Sequence, residues 1–363
     1  MKFAVFNVPF ALEYAAGHET LKEVIDWGVQ TAAWADEYGL DEVYFAEHHT
    51  LGAEPSPAPD LMIAAASQVT RRVKLGALGH LLPYHNPVAL AHRMLFLDHM
   101  TGGRYIAGVA PGAYPSDAQL FDTGKNNPEM LAEALDIIDE IFHRPGPWRI
   151  EGKYWNVDMP AYDEHIAGPH LKALQDGGPE RLMTGMQPHS PTLAEAGRRG
   201  FNPVSQAVHA DFLTMHWETY AAAATAAGFT PSRSDWRITR DWFVADTDEE
   251  ARELALGGSL GTIGAYNIEV FKSIGIVELL AGPSTNPDDV TPEWLIDNFA
   301  IVGSPETVAL KIRDLYEHVG GFGMLIGASH ARSSSKSWRR SWELTGSKVA
   351  PLVADLTGRP TAP

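Results

Sequence analysis

Short apolar runs alternate along this chain with longer stretches whose apolar positions recur every three to four residues, the rhythm of buried strands and amphipathic helices around a parallel sheet. The runs predict strands over Lys2–Val8, Glu42–Ala46, Val73–Leu78, Arg104–Val109, Arg181–Met186, Phe201–Ser205, Trp236–Val244 and Phe322–Ile326. Helices are expected between them over Thr20–Tyr38, Asp60–Val69, Pro87–His99, Glu129–Phe142, Pro191–Arg199, Ala210–Ala227 and Pro305–Val319. Asn86-Pro87 and Ser304-Pro305-Glu306 read as helix starts, each a capping side chain before a proline that needs no N–H partner. Eight strands alternating with helices imply an α/β fold, a (β/α)8 TIM barrel, whose chemistry belongs at the C-terminal ends of the strands.

Three segments stand outside the repeat. Residues 148–157 alternate on either side of Glu151-Gly152 and predict a surface hairpin. Residues 257–299 carry many glycines and prolines, and are expected to be a long insertion between strands seven and eight, a lid or an irregular linker. A C-terminal helix is expected over about 334–356, and the whole chain, 1–363, is read as one elaborated barrel domain.

With 363 residues, 45% hydrophobic and 20% charged, the chain can bury a large core. A formal net charge of -18 disfavours a polyanion as partner, so no nucleic-acid role is expected. The absence of Cys excludes disulfides, thiolate metal sites and cysteine nucleophiles. Met1 to Pro9 reads as a first strand and not a signal peptide, and no run approaches the ~20 apolar residues of a membrane span. A cytoplasmic protein with no membrane partner is the expectation.

Candidate chemistry gathers at the predicted strand ends. Glu47-His48-His49 follows the second strand directly, so one of its side chains should face the barrel mouth, and histidine suits proton traffic near neutral pH. On the residues alone, the reading of the two histidines as strand-end caps is the favoured one. Leu78-Gly79-His80 ends the third strand, with Tyr84 and His85 beyond it, and His80 can point into the mouth or pack away from it. Ala110-Pro111-Gly112-Ala113-Tyr114 follows the fourth strand. After the fifth comes Gln187-Pro188-His189-Ser190-Pro191-Thr192, where exposed N–H groups and a helix dipole favour an anion. Asn7, His49, His80 and Trp242 are the side chains expected around a substrate.

Glu-His-His after the second strand and Leu97-Asp98-His99-Met100-Thr101-Gly102-Gly103-Arg104 before the fourth resemble the bacterial luciferase-like flavin monooxygenases. The resemblance covers most of the chain. It implies reduced FMN delivered by a separate flavin reductase, reaction with O2 to a C4a-peroxyflavin, and transfer of one oxygen atom to a small organic substrate, which the abundance of Trp, Phe and Met suggests is apolar. It further implies His48 as the catalytic histidine and a non-proline cis peptide at Leu78-Gly79 behind the flavin ring. Ala110, Pro111, Gly112 and Tyr114 would flank the ring, and Gln187, His189, Ser190 and Thr192 would hold the phosphate. The family places a thiol and a phosphate-binding arginine where this chain has Ala110 and Pro111, so the positive field for the phosphate must come from elsewhere. The insertion would close over the site, and family members commonly form homodimers.

The missing arginine keeps a deazaflavin alternative open, in which F420 transfers hydride; a flavin-binding paralogue without turnover is the other, which His48 disfavours. No Gly-X-Gly-X-X-Gly opens a helix after the first strand, so a Rossmann site finds no support. The first strand ends in Asn7-Val8-Pro9 instead of the His-X-His of metal barrels, and no metal is expected.

Overall fold

A computed structural model describes residues 1–163, 165, 171–329 and 332–357. Eight parallel strands close on themselves: β1 (Lys2–Asn7), β2 (Glu42–Phe45), β3 (Lys74–Ala77), β4 (Tyr105–Ala110), β5 (Glu180–Gly185), β6 (Asn202–Ser205), β7 (Arg237–Thr239) and β8 (Met324–Ala328). Each pairs with the next, and β8 pairs with β1 in the register Lys2↔Met324 to Phe6↔Ala328, which completes the TIM barrel.

The period-two alternation decides which side chains face in. Ala4, Phe6, Tyr44, Ile106, Leu182, Val204 and Ile326 pack together inside the barrel, while Phe3, Val5, Val43, Phe45 and Tyr105 join the outer layer under the helices. The end opposite the mouth is closed by charge. Arg237 donates to Glu42 at 2.8 and 2.9 Å and to Glu180 at 2.6 Å, and Tyr44 donates to Glu42. A buried guanidinium of this kind is tolerated because both carboxylates meet its fork.

The predicted strand Trp236–Val244 is two elements. After β7 the chain turns out of the barrel at Arg240, which donates to Val208 O and Phe299 O and lies 3.7 Å over the Phe299 ring. Trp242–Val244 then pairs in parallel with Ile301–Gly303 outside the barrel. Residues 257–299 are largely helical, with Ser259–Ser273 the longest element. Some of their glycines serve close approach: a Cβ on Gly261 would sit 2.1 Å from Leu256 O. Trp148–Glu151 and Asn156–Met159 form an antiparallel pair, and the chain continues past β8 into the helix Ser335–Leu344. Among the described residues no helix is long and apolar enough to cross a membrane.

Candidate functional site at the barrel mouth

Beyond Phe45 the chain leaves β2 and curls back, with His48 N–H donating to Ser56 O at 2.9 Å and the Ser56 hydroxyl to Ala46 O at 2.7 Å. This loop fixes three neighbouring side chains in different places. His48 is partly exposed at the lip, its ring edge-on to Tyr114 with centroids 5.4 Å apart. Its Nδ1 touches Glu54 Oε2 at 2.5 Å, off the line of a hydrogen bond. Burial pushes the Tyr114 hydroxyl well above its ordinary range, so it stays a neutral donor.

Glu47 turns the other way, behind the mouth, and is 2% exposed. His49 Nε2–H donates to it at 3.0 Å, His85 Nε2–H at 2.9 and 3.1 Å, and the Leu81 backbone N–H at 3.1 Å. Burial alone would raise this carboxyl; the His49 and His85 hydrogen bonds outweigh it and bring it down to about 2, so Glu47 is an anion throughout the physiological range.

On β3 the chain carries one residue more than its neighbour between the Gly76↔Ile106 and His80↔Val109 pairs, and bulges there. The Leu78-Gly79 peptide in the bulge is cis, as the resemblance implied. A Cβ on Gly79 would lie 2.8 Å from the Val109 carbonyl carbon, so the backbones touch with no side chain between them. Across from it, Gly112 has φ of 84° and a Cβ there would lie 2.6 Å from the Tyr84 hydroxyl. Asn127 donates from Nδ2 to Pro111 O at 2.9 Å and to the Tyr84 hydroxyl at 3.1 Å, fixing the loop after β4.

The turn after β5 is ordered by its own hydroxyls. Ser190 Oγ accepts the Leu193 N–H at 3.3 Å and lies 2.9 Å from Thr192 Oγ1, whose proton goes to Thr184 O at 2.6 Å. Both hydroxyls are thus engaged within the turn. What the turn offers a ligand is the N-terminus of Pro191–Arg199 with exposed Gln187 and His189 beside it. His216, which the sequence did not single out, donates from Nε2 to Gln187 O at 2.7 Å and so braces the turn; burial pulls it down to about 4 and keeps it neutral.

Three residues expected around the substrate lie elsewhere. Asn7 faces the helix Leu21–Glu37 and donates to Thr31 Oγ1 at 2.7 Å and Gly28 O at 3.4 Å, because odd positions of β1 point outward. Trp242 sits under the C-terminal helix, donates to Thr345 Oγ1 at 2.9 Å and fills the space left bare by Gly327. His80 is 1% exposed and its Nε2 lies 2.8 Å from the Tyr105 hydroxyl; burial pulls its pKa down to about 4. Only His49 of that set stays partly exposed, edge-on to Phe121 at 4.7 Å and to Tyr84 at 5.9 Å. The apolar side of the mouth comes from Phe6, Val8, Phe10 and, from the inserted helix, Ile263 and Tyr266. Tyr266 faces Glu54, and burial followed by that carboxylate raises its hydroxyl well above the usual range.

Residues 1–321 match the family model described as luciferase-like monooxygenase. The chain is 36% identical to 3,6-diketocamphane 1,6-monooxygenase of Pseudomonas putida, over 94% of this chain and 96% of that protein. It is 31% identical to limonene 1,2-monooxygenase of Rhodococcus erythropolis, over 87% of this chain and 78% of that one. The solved structure of a type II Baeyer-Villiger monooxygenase, the oxygenating constituent of 3,6-diketocamphane monooxygenase from the Pseudomonas putida CAM plasmid in complex with FMN, superposes with a TM-score of 0.88. It shares 34% identity and covers 97% of this chain and 98% of its own.

Proposed function

The chain belongs to the luciferase-like monooxygenase family, and on that premise we propose that it is the oxygenating component of a two-component, FMN-dependent monooxygenase acting on a small alicyclic ketone. The observation that carries the reading is the meeting, in one barrel mouth, of a lip histidine, His48, with two stretches of bare backbone at Gly79 and Gly112. A side chain at either glycine would collide with the wall itself, with the Val109 backbone at Gly79 and the Tyr84 hydroxyl at Gly112, so these glycines let the wall pack closely where it would back a ring system. The residues present fit FMN: the bulge at Leu78-Gly79 and the loop Ala110 to Tyr114 would flank the ring, and the turn from Gln187 to Thr192 would receive the phosphate at a helix N-terminus.

When bound and reduced, the flavin supplies the electrons with which O2 is activated. The chain's own part is to orient and to shield. His48 would hold or move a proton at the lip, with Tyr114 as a neutral hydroxyl beside it. Phe6, Val8, Phe10 and Ile263 would exclude water and accept an apolar ring, in keeping with the ketone and terpene named for the relatives. A separate reductase would supply the reduced flavin. The helix Ser259–Ser273 would serve as the cover, and Leu61 and Phe96, 70% and 60% exposed on neighbouring helices, would lie in a homodimer contact.

Anaerobic titration with reduced FMN should saturate at low micromolar concentration or below, about -8 kcal/mol. With O2 and a bicyclic ketone, the product should gain one oxygen atom. Tight F420 binding with no affinity for reduced FMN would overturn the assignment in favour of hydride transfer.

A further inference from the structure

Glu47, His80 and His85 place three ligand atoms within 4.8 Å of one another, the spacing of a metal site. Their hydrogen bonds point to a different use. Arg93, on the helix Pro87–Met100, approaches His85 from the far side, with Nη2 3.2 Å from Nδ1. A guanidinium has donors only, so His85 Nδ1 must carry the lone pair and the ring proton must be on Nε2. That proton faces both oxygens of Glu47 at 2.9 and 3.1 Å.

A histidine that binds a metal through Nε2 needs the opposite arrangement, a lone pair on Nε2 and a proton on Nδ1 directed at an acceptor. Arg93 forbids it. Its own position is held by Asp60, whose Oδ2 lies 2.8 Å from Nε. On the other side of the carboxylate, His49 must present Nε2–H to the same anion at 3.0 Å, which leaves Nδ1 as its acceptor nitrogen.

We propose that Arg93 is a positioning residue: it fixes the tautomer of His85, whose Nε2–H helps hold the Glu47 carboxylate that His49 also donates to, and it keeps the Glu47, His80 and His85 cluster from taking a divalent metal. The order of groups from the outer helices inward is Asp60, Arg93, His85, Glu47, His49: an ion pair from Asp60 to Arg93, off the line of a hydrogen bond, and then a hydrogen bond at each further step. The tautomer assignment stands on these contacts alone. Its consequence for turnover rests on the proposed function.

The decisive measurement is made on the ligand-free protein. Long-range nitrogen-15 correlation spectra of histidine-labelled wild type should show His85 and His49 each with a protonated Nε2 and an unprotonated Nδ1. Arg93→Met should release His85 to the other tautomer or to a mixture, and Arg93→Lys, which keeps a donor, should restore the wild-type pattern. Arg93 is partly exposed, and loss of its charge is compatible with folding. In Zn2+ titrations, Arg93→Met should bind one ion at least ~10-fold more tightly than wild type, and Arg93→Met with His85→Gln should lose that gain. In turnover, Arg93→Met should lower kcat by roughly 10-fold with little change in reduced-FMN affinity, and Arg93→Lys should recover most of it.

A wild-type His85 protonated on Nδ1 would overturn the proposal. So would one Zn2+ taken up by wild type and lost in His85→Gln, or an Arg93→Met variant with unchanged spectra and zinc affinity. Absence of turnover in wild type would instead count against the proposed function, and the spectra would still decide the role of Arg93.

Discussion

On the side of the mouth built by β2, β3 and β4, polar side chains at the strand ends bond to one another: Glu47 gathers His49, His85 and the Leu81 N–H, and Asn127 ties Pro111 to Tyr84. On the side built by β5 to β8, the strand ends supply a helix N-terminus at Pro191 and the wall is finished by residues distant in sequence, Tyr266 and Ile263 from the inserted helix and His216 from the helix Ala210–Ala226. The first side can hold charge and direct protons because the donors around Glu47 have their acceptor before any ligand arrives. The second offers an anion site and apolar cover. In the proposed reaction the chemistry would run against the first and the cofactor and substrate would be held by the second.

The largest effect should come from the first side. His48→Ala should lower product formation by roughly 10²- to 10⁴-fold, the scale of a lost acid-base group, while reduced-FMN affinity falls much less. Steady-state turnover and anaerobic titration on the same variant separate the two. If His49→Ala is far more damaging than His48→Ala, the lip histidine has been given the wrong part.

The two sides are tied at the closed end, where Arg237 on β7 reaches Glu42 on β2 and Glu180 on β5. Arg237→Ala should cost about 3–5 kcal/mol in unfolding free energy, because it leaves buried carboxylates without a partner. Wild-type stability should also fall with pH in two windows. His80 and His216 are held down to about 4 from an ordinary 6.5, so the unfolded chain alone takes up protons as pH drops through that interval, and their contribution is lost across it. Glu47 and Glu180 sit at about 2 against 4.5; their contribution, on the order of 3 kcal/mol each, is complete above pH 5 and lost between those values. Urea denaturation from pH 8 to 3 checks both, and Glu47→Gln should remove part of the lower window.

Tyr266 offers a sharper test of the second side. The helix carrying it contributes Leu260, Ile263 and Ile268 to buried clusters, so cutting the segment out would damage the core and a point change is the better probe. Tyr266→Ala should leave folding and reduced-FMN binding near wild type and raise the ratio of H2O2 to oxygenated product by roughly 2- to 5-fold, if this helix keeps water from the site. An unchanged ratio would leave the insertion a structural element only.

The same contrast explains what was legible in the sequence. Glu47-His48-His49, Leu78-Gly79 and Ser190-Pro191 are contiguous motifs at strand or helix ends, where local rules for caps and glycine contacts apply, and the barrel's alternation is carried by strands buried on both faces. Asn7 and Trp242 were misplaced for a physical reason: a period of two says that neighbours face opposite ways and leaves open which of them faces in. His80 follows a bulge, which resets that parity. The run from Trp236 to Val244 has apolar residues on both sides of Arg240-Asp241, and a reading of it as one strand passes over that charged pair, where the strand leaves the barrel. The glycines of residues 257–299 looked like flexibility, yet Gly258, Gly261 and Gly282 sit where a Cβ would collide with neighbouring atoms. Tyr266, Glu54, Arg93 and His216 act across long sequence separations, and no short motif points to them.

The smallest effect concerns the turn itself. Ser190→Ala removes the hydroxyl that caps Pro191–Arg199 and aligns Thr192, and N-cap losses of this kind cost about 1 kcal/mol. Because the two hydroxyls serve the turn, the variant should weaken reduced-FMN binding only as far as the turn loosens, by roughly 5-fold. Riboflavin separates this from direct contact: it lacks the phosphate, so its affinity should be the same for wild type and Ser190→Ala. A loss far beyond 5-fold for FMN, with thermal stability unchanged, would show that Ser190 turns its proton outward to the phosphate and that the internal bonding of the turn gives way when the cofactor arrives.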